Sequence, residues 1–250
     1  VISQEYAAVL TSKPDEGQFQ STIEFFAQID GQWHKESEQV LLEDWNGTIW
    51  FPHKYLDISE DRLIASMTNG NGGKAFIFRR HDGQWIEEAV FESTIDDSLF
   101  GMSVSISGDI AVISDTGKAH VYRRYGFNWL LEAVLEQSLG QPNDYFGTEV
   151  AVDGNTIIIG TAVQQGAWVF EYDGSNWSET QYLEPDSTNY GQSIDLSGDL
   201  AVIGNNAGFD FAVVYRRTDG IWQEWQQLQA SSSSVGGLGR LVRTSGNVII

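Results

Sequence analysis

The chain has 250 residues, a formal net charge of −21 with only 14 lysine and arginine residues, 41% hydrophobic residues and no cysteine. The hydrophobic fraction is sufficient for a packed core and argues against wholesale disorder. Because affinity for phosphate backbones comes from clustered cations, the charge argues against nucleic acid as a partner. The lack of cysteine excludes disulfides and thiolate metal sites. No hydrophobic run approaches the roughly 18 to 20 residues of a membrane helix, so we expect no membrane span in this segment.

One pattern recurs along the chain: an aromatic residue and a glycine, an alternating run, a tight turn and a short hydrophobic run. The second half of this pattern fits residues 1–12, a variant lies at 48–66, and fuller versions lie at 98–114, 144–160, 188–204 and 236–250. The residue before each turn recurs every 44 to 56 positions, at Ile2, Ile58, Ile106, Val152, Leu196 and Thr244. A second landmark has the same period, at Trp33, Trp85, Trp129, Trp177 and Trp222. Two landmarks with one period indicate an internal repeat.

Each repeat predicts four β-strands. In the unit around residues 103–138, SVSIS alternates, Gly108 and Asp109 form a turn, and IAVIS is a continuous hydrophobic run. These features predict a β-hairpin, and KAHVYRR and WLLEAVLE supply a third and a fourth strand. A unit of about 45 residues cannot cover its own hydrophobic faces, which is typical of a propeller blade.

The sequence therefore predicts an all-β fold, a β-propeller of four-stranded antiparallel blades. The single domain 1–250 divides into five units, approximately 1–49, 50–98, 99–144, 145–188 and 189–236, with a partial sixth at 237–250. A first strand at both ends is redundant in a closed five-bladed ring. The pattern thus favours a segment of a larger array, or a ring completed by other residues or a partner, and closure at five blades is the alternative. The first residue is not methionine and the last hydrophobic run stops early, which also favours a processed or incomplete chain.

The motifs LFGMSVSISGDIAVIS and YGQSIDLSGDLAVIG resemble FG-GAP repeats, with aromatic-glycine pairs at Phe100–Gly101, Phe146–Gly147 and Tyr190–Gly191. This resemblance implies an integrin-α-like propeller of an extracellular or cell-surface protein, which binds protein or glycan. One departure concerns calcium, because the family's calcium-binding blades carry an Asp/Asn-rich loop between the first two strands. The short turns here leave no room for six to eight oxygen ligands, so we expect no metal site.

Segments that interrupt the repeat are the better candidates for ligand binding, because loops on a rigid scaffold tend to carry function. The sequence predicts a long loop at 11–21 between two strands, a loop at 67–75 and a linker at 137–145. The candidate ligand-binding residues are Lys13, Asp15, Glu16, Asn69, Asn71, Asn143 and Asp144.

Other residues have competing interpretations. The recurrent tryptophans fit packing between blades better than a ring of sugar-stacking platforms. Three arginine pairs fit solvated edge charges better than an anion site; they are Arg79–Arg80, Arg123–Arg124 and Arg216–Arg217. The four histidines show no metal-ligand spacing. Acids near the blade tops, Asp57, Asp153 and Asp195, could meet across a channel as in a glycosidase.

We therefore expect a recognition or scaffold module that binds protein or glycan through its loops, with no catalytic residues and no cofactor. A five-bladed glycosidase and a structural subunit of a filament or stalk are the alternatives. Further blades or other copies of the chain are possible partners.

Overall fold

A computed structural model describes residues 1, 5–15, 18–45, 55–68, 72–93, 99–138, 145–161, 166–184, 190–205, 211–229, 238–239, 241–246 and 248–249. All regular structure in these residues is β-strand. Within the same residues, no helix has the length and hydrophobicity to cross a membrane.

Antiparallel sheets follow one another along the chain. The first contains β1 (Tyr6–Asp15), β2 (Gln18–Ile29) and β3 (Gln32–Trp45). The second contains β4 (Leu56–Ser59), β5 (Arg62–Thr68), β6 (Gly73–His81) and β7 (Gln84–Ser93). The third contains β8 (Val104–Ser107), β9 (Ile110–Asp115), β10 (Lys118–Tyr125) and β11 (Asn128–Leu135). The fourth contains β12 (Phe146–Asp153), β13 (Thr156–Thr161), β14 (Ala167–Tyr172) and β15 (Trp177–Leu183). The fifth contains β16 (Tyr190–Ser197), β17 (Leu200–Asn205), β18 (Phe211–Thr218) and β19 (Ile221–Gln229), and β20 (Thr244–Ser245) and β21 (Val248–Ile249) form a sixth-unit hairpin.

The second to fifth sheets are the predicted four-stranded meanders, since the order of strands in each sheet is their order in the chain. Only two residues separate the first strand from the second in each of these sheets, for example Gly108 and Asp109 between β8 and β9. The short turns expected from the sequence are therefore confirmed.

The first sheet corrects one prediction. Residues 11–21 do not form a long loop: β1 extends to Asp15, β2 begins at Gln18, and Thr11 pairs with Thr22. Pro14 is compatible with this arrangement because β1 lies at an edge of the three-stranded sheet. Val1 and Ala8 exchange two backbone hydrogen bonds of 3.0 Å each, so Val1 also pairs with β1.

The hydrophobic core lies in layers between successive sheets. Ile23 and Phe25 of the first sheet pack with Leu63 and Phe78 of the second, and equivalent clusters join each later pair of sheets. Because a central sheet is covered on both faces, every residue of β9 is buried. The continuous hydrophobic runs in the sequence are these second strands.

The first strands lie closest to one another: β4 contacts β8, β8 contacts β12, β12 contacts β16, and β16 contacts β20. Each tryptophan-led fourth strand is at the opposite edge of its sheet. We call the first strands inner strands, and we call the fourth strands, together with β3 of the three-stranded first sheet, outer strands.

Two glycines show how closely inner parts of neighbouring sheets approach. Gly147, the glycine of an aromatic-glycine pair, has φ +91°, and a Cβ there would lie 2.9 Å from the carbonyl oxygen of Lys118 in the preceding sheet. A Cβ on Gly160 would lie 2.0 Å from the carbonyl oxygen of Gly191 in the following sheet. Both positions require glycine because backbone meets backbone.

Candidate functional site

The predicted ligand-binding residues lie almost entirely outside the described part of the molecule. Glu16, Asn69, Asn71, Asn143 and Asp144 are not among the described residues. Lys13 and Asp15 lie on β1, where their backbones pair with Gln20 and Gln18. Their role in ligand binding stays a prediction.

The inner strands carry a ladder of short polar side chains that joins successive sheets. Three serines, two on β8 and one directly before it, accept hydrogen bonds from backbone N–H groups of β12 and the turn after it. Ser103 Oγ accepts from Val150 at 3.1 Å, Ser105 Oγ from Val152 at 3.1 Å, and Ser107 Oγ from Gly154 at 3.0 Å. Ser193 and Ser197 of β16 repeat the pattern with Val242 and Gly246, at 3.0 and 3.1 Å.

The three acids that could have met across a channel belong to the same ladder. Asp57 Oδ2 accepts from Ser105 Oγ at 2.6 Å and from the Ile106 N–H at 3.0 Å. Asp153 Oδ2 accepts from the Gly198 N–H at 2.6 Å. Asp195 Oδ2 accepts from the Thr244 N–H at 2.7 Å. Each carboxylate therefore caps a backbone amide of the following sheet, which accounts for its position in the repeat.

Glu149 is an exception among the short polar side chains of the inner strands. It occupies the position that Ser103 and Ser193 have in the neighbouring sheets. Its side chain is buried, with 2% of the residue exposed, and Ser103 Oγ donates to its Oε2 at 3.3 Å. Burial and then the negative charge of Glu149 raise the pKa of Tyr55 to about 12. The charge of Glu149 therefore acts on a tyrosine of the second unit.

The described histidines do not form a metal centre. His120 Nε2 lies 3.5 Å from the buried Asp115 Oδ2, and the imidazole packs edge-on against Phe100. Among the described residues, no three histidine, aspartate or glutamate side chains are grouped so that they could hold a metal ion.

Each of the five outer strands has a β-bulge at the same position of the repeat. There, one outer-strand residue has no partner in the register with the neighbouring strand. These bulged residues are Glu36, Glu88, Glu132, Thr180 and Trp225. A bulge re-aims its side chain, and here it directs the first three towards the next sheet.

Glutamates at the bulges bind side chains of the following sheet. Glu36 forms an ion pair with Arg80 at 2.6 Å. Glu88 accepts from Trp129 Nε1 at 3.2 Å. In the next unit, Glu132 accepts from Trp177 Nε1 at 2.7 Å.

The bulge of the fourth sheet holds Thr180, and the neighbouring Gln181 makes the contact instead. Gln181 Nε2 donates to the carbonyl oxygen of Trp222 at 2.7 Å, and its Oε1 accepts from the Trp222 N–H at 2.9 Å. A neutral amide thus replaces the carboxylate and binds backbone rather than an indole.

Glu132 shows the electrostatics of this outer contact. Arg123 Nε donates to Glu132 Oε1 at 2.5 Å, and its guanidinium lies 4.5 Å from the ring centre of Tyr172 in the next sheet. Burial by itself raises the pKa of Glu132, but hydrogen bonds from Arg123 and Trp177 outweigh it and hold the pKa below its usual 4.5.

The recurrent tryptophans and arginines are mainly parts of these contacts. Trp85, Trp129 and Trp222 are at most 9% exposed, whereas Trp33 of the first sheet is 39% exposed. Arg124 and Arg217 bind the turn residues Asp109 and Asp199 of their own sheets, at 2.7 Å each. These arginines are therefore edge charges that form surface ion pairs with acids of their own sheets.

Trp225 differs from the other bulged residues. It is 57% exposed, and the Arg216 guanidinium lies 5.0 Å from its ring centre. The repeat does not single out this residue, because Trp225 lies outside the positions at which tryptophan recurs. The signal available was the opposite one, a tryptophan three residues after Trp222, where the second and third units have Glu88 and Glu132.

Successive four-stranded antiparallel meanders, with inner strands packed side by side, define a β-propeller-like fold. Residues 129–175 match the sequence model of the FG-GAP repeat, so the resemblance is confirmed in this segment. No curated protein sequence matches the chain.

Solved structures similar to the chain support the same fold. One, from Bacteroides uniformis and named provisionally as a 6-phosphogluconolactonase, has a TM-score of 0.65 and 11% identity over 90% of this chain and 69% of that one. A second with the same provisional name, from Bacteroides fragilis, has a TM-score of 0.61 and 13% identity over 92% and 70%. A Lactobacillus plantarum protein has a TM-score of 0.58 and 16% identity over 84% and 67%. At these identities the likeness concerns the fold alone.

Proposed function

We propose that the chain is a non-catalytic recognition and scaffold module of an extracellular or cell-surface protein, which binds protein or glycan through the loops between its sheets. The observation that carries this proposal is the use of Asp57, Asp153 and Asp195. All three cap backbone amides of the following sheet, so the carboxylates that a glycosidase would need serve the scaffold. The FG-GAP repeat at residues 129–175 also supports the proposal.

We further propose that the five sheets and the hairpin are blades of a β-propeller that other blades or a partner complete. The three similar structures support this proposal, since the chain matches 67 to 70% of their length. Small-angle scattering of the intact protein tests it: a scattering profile that fits a closed five-bladed ring would contradict it.

Hydrolysis is the competing function. Two of the similar structures are named provisionally as a 6-phosphogluconolactonase, and the buried Glu149 is a carboxylate at a position that the two adjoining units fill with serine. This second candidate requires a carboxylate that acts on substrate instead of on backbone amides.

The test is a turnover assay with neutral and acidic polysaccharides and with a sugar-phosphate lactone. We expect no hydrolysis above the spontaneous rate. Hydrolysis that Asp57→Asn, Asp195→Asn or Glu149→Gln abolishes, in variants that circular dichroism shows to be folded, would replace the recognition proposal by an enzymatic one. Labelling of intact and permeabilised source cells with an antibody tests the cell-surface location.

A further inference from the structure

The outer strand of the third sheet breaks the repeat at the residue before its bulge. In each of the five sheets this residue lies opposite an aromatic residue of the neighbouring strand. In four of them it is charged, as Lys35, Glu87, Glu179 and Glu224. In the third sheet it is Leu131, which is 53% exposed. Because charges on an edge strand prevent it from pairing with another chain, β11 lacks a protection that the other outer strands have.

The turn that leads into β11 breaks the repeat as well. Phe127 in this turn is 77% exposed. The other turns have small residues at this place, namely Gly31, Gly83, Ser175 and Gly220. The guanidinium of Arg79 in the second sheet lies 5.9 Å from the ring centre of Phe127. Ile86 lies directly opposite Arg79 and is 45% exposed, so hydrophobic side chains of two sheets border the same surface.

The ends of the chain do not account for this exposure, because the third sheet lies between two others. Its core residues pack with those of the second sheet on one face and those of the fourth on the other. Tyr122, which lies opposite Leu131, packs on Phe91 of the second sheet with ring centres 4.1 Å apart. Further blades would adjoin the first and fifth sheets and would leave the outer edge of the third uncovered.

β11 also has a free edge. It is the last strand of its sheet, and within the described ranges no strand pairs with its far side. Such an edge offers N–H and C=O groups to an added strand. Leu131 and Val134 share the face towards the second sheet, because they lie opposite Tyr122 and His120, two residues apart on β10. Val134 is 44% exposed, so a strand added here would bring alternate side chains beside both.

The charge of the outer strands determines which partner fits. β7, β11, β15 and β19 contain glutamate but no lysine or arginine. A second copy of the chain, with its own net charge of −21, would place another acidic strand against this edge. Like charges opposite each other are destabilising. A segment that combines hydrophobic residues with lysine or arginine complements both the exposed side chains and the acidic surroundings.

We propose that β11 and Phe127 form a docking edge for an extended segment of a partner protein, rich in hydrophobic residues and in lysine or arginine. The segment pairs with β11 as a fifth strand of the third sheet, and its hydrophobic side chains contact Leu131, Val134 and Phe127. The inference rests on the proposed recognition function, names protein as the ligand, and places it on an outer strand rather than in the loops.

The probe is a fluorescein-labelled peptide of eight residues, the length of β11, in which valine and lysine alternate. One matched peptide has glutamate in place of lysine. A second carries a methyl group on every backbone nitrogen, which removes the donors that strand pairing requires. Fluorescence anisotropy with the whole chain measures Kd. We expect the valine–lysine peptide to bind and both matched peptides to bind about tenfold more weakly or less.

Leu131→Glu distinguishes docking at this edge from attraction to the acidic surface as a whole. It introduces the charge that the second, fourth and fifth sheets have, and it should raise Kd about tenfold, although added negative charge alone would attract a basic peptide more strongly. The matched control, Gln223→Glu, adds the same charge at an exposed position of β19 and should leave Kd unchanged. Circular dichroism confirms that both variants are folded. Hydrogen exchange in the wild type should slow at β11 when the peptide is bound, and not at β19.

The proposal is wrong if the wild-type chain does not bind the valine–lysine peptide, if the methylated peptide binds equally well, or if Leu131→Glu binds as tightly as the wild type. A wild-type dimer that Leu131→Glu dissociates, measured by sedimentation, would replace the partner segment by a second copy. These results leave recognition through the loops intact. Turnover of a saccharide or lactone would instead contradict the recognition function and leave the docking edge in place.

Discussion

The inner and outer strands of this molecule join neighbouring sheets by different means. At the inner strands, short side chains such as Ser105 and Asp57 bind backbone N–H groups of the next sheet. At the outer strands, long side chains bind other side chains, as Glu132 binds Trp177. A backbone amide is supplied by every residue except proline, so an inner contact constrains the sequence of one sheet only. An outer contact of this type constrains two sheets at once.

This difference is visible in the residues that take part in the two kinds of contact. Serine or aspartate recurs on the inner strands at Asp57, Ser105 and Asp195. The outer partners change from sheet to sheet: Arg80 for Glu36, then Trp129 for Glu88.

The largest expected effect tests the close approach of β13 in the fourth sheet to β16 in the fifth sheet. Gly160→Ala places a Cβ against the Gly191 carbonyl, and we expect it to lower the free energy of unfolding by about 3 kcal/mol or more. The control is Gly108→Ala, where φ is +55° and no atom lies within 4 Å of the added Cβ; it should cost only about 1 kcal/mol. Urea denaturation measures both. Equal losses would mean that contact between the sheets is not what requires glycine at position 160.

A smaller loss is expected from one inner cap. Asp57→Ala removes the acceptor for Ser105 Oγ and for the Ile106 N–H, and should destabilise the fold by about 2 kcal/mol. Asp57→Asn keeps one oxygen and should cost less. Asp109→Ala is the control, because Asp109 forms a largely exposed ion pair with Arg124 that contributes about 0 to 1 kcal/mol. A loss in Asp57→Ala no larger than in the control would mean that the inner cap contributes no more than an exposed ion pair.

An outer contact should contribute less and depend on pH. Glu132→Gln weakens the hydrogen bonds from Arg123 and Trp177, and we expect a loss of about 1 kcal/mol at neutral pH. The pKa of Glu132 is lower in the folded protein than its usual value. Its stabilisation is therefore complete above the pKa of the unfolded chain and is lost as pH falls through the lower pKa of the folded protein.

The measurement is the urea midpoint of the wild type and of Glu132→Gln from neutral pH to about pH 3. The difference between the two proteins should be constant down to about pH 5 and should shrink below it. A difference that grows on acidification would mean that the pKa of Glu132 is raised instead.

The smallest expected effect concerns calcium. The inner hairpins turn in two residues, and the turn residues Asp109 and Asp199 bind arginines, so we expect folding not to require a metal. Thermal unfolding with excess chelator and with excess Ca²⁺ should differ only by the screening of an acidic surface. A site saturated a hundredfold would add about 2.7 kcal/mol, and a shift of that size would contradict the prediction.

The strand pattern was predictable because its signals are local. An alternating run, a Gly-Asp turn and a hydrophobic run lie within a dozen residues, as at Val104–Asp115. The local signal failed at 11–21, where Lys, Pro, Asp and Gly suggested a loop. There the pairing of Thr11 with Thr22 simply continues the hairpin towards its turn, and pairing of this kind outweighs composition.

The roles of the site residues were less predictable because they depend on which residues of one sheet lie next to which residues of the following sheet. The sequence alone does not predict that Asp57 accepts a hydrogen bond from the N–H of Ile106, 49 residues later. An alternation of short polar residues was visible, however, in Ser103, Ser105 and Ser107. That pattern on an inner strand indicates caps for a neighbouring sheet, and it could have distinguished Asp57 from a catalytic acid.

The inner ladder also determines how far the effect of a substitution spreads from one sheet to the others. Its contacts join sheets that follow one another along the chain. Ser107 binds Gly154 and Ser197 binds Gly246, 47 and 49 residues later. Energetics of this kind approximate a one-dimensional chain of nearest-neighbour terms. Folding can then nucleate at any pair of sheets and propagate in both directions. Local opening measured by hydrogen exchange should accordingly spread from a substituted sheet to the two adjoining it before it reaches the others.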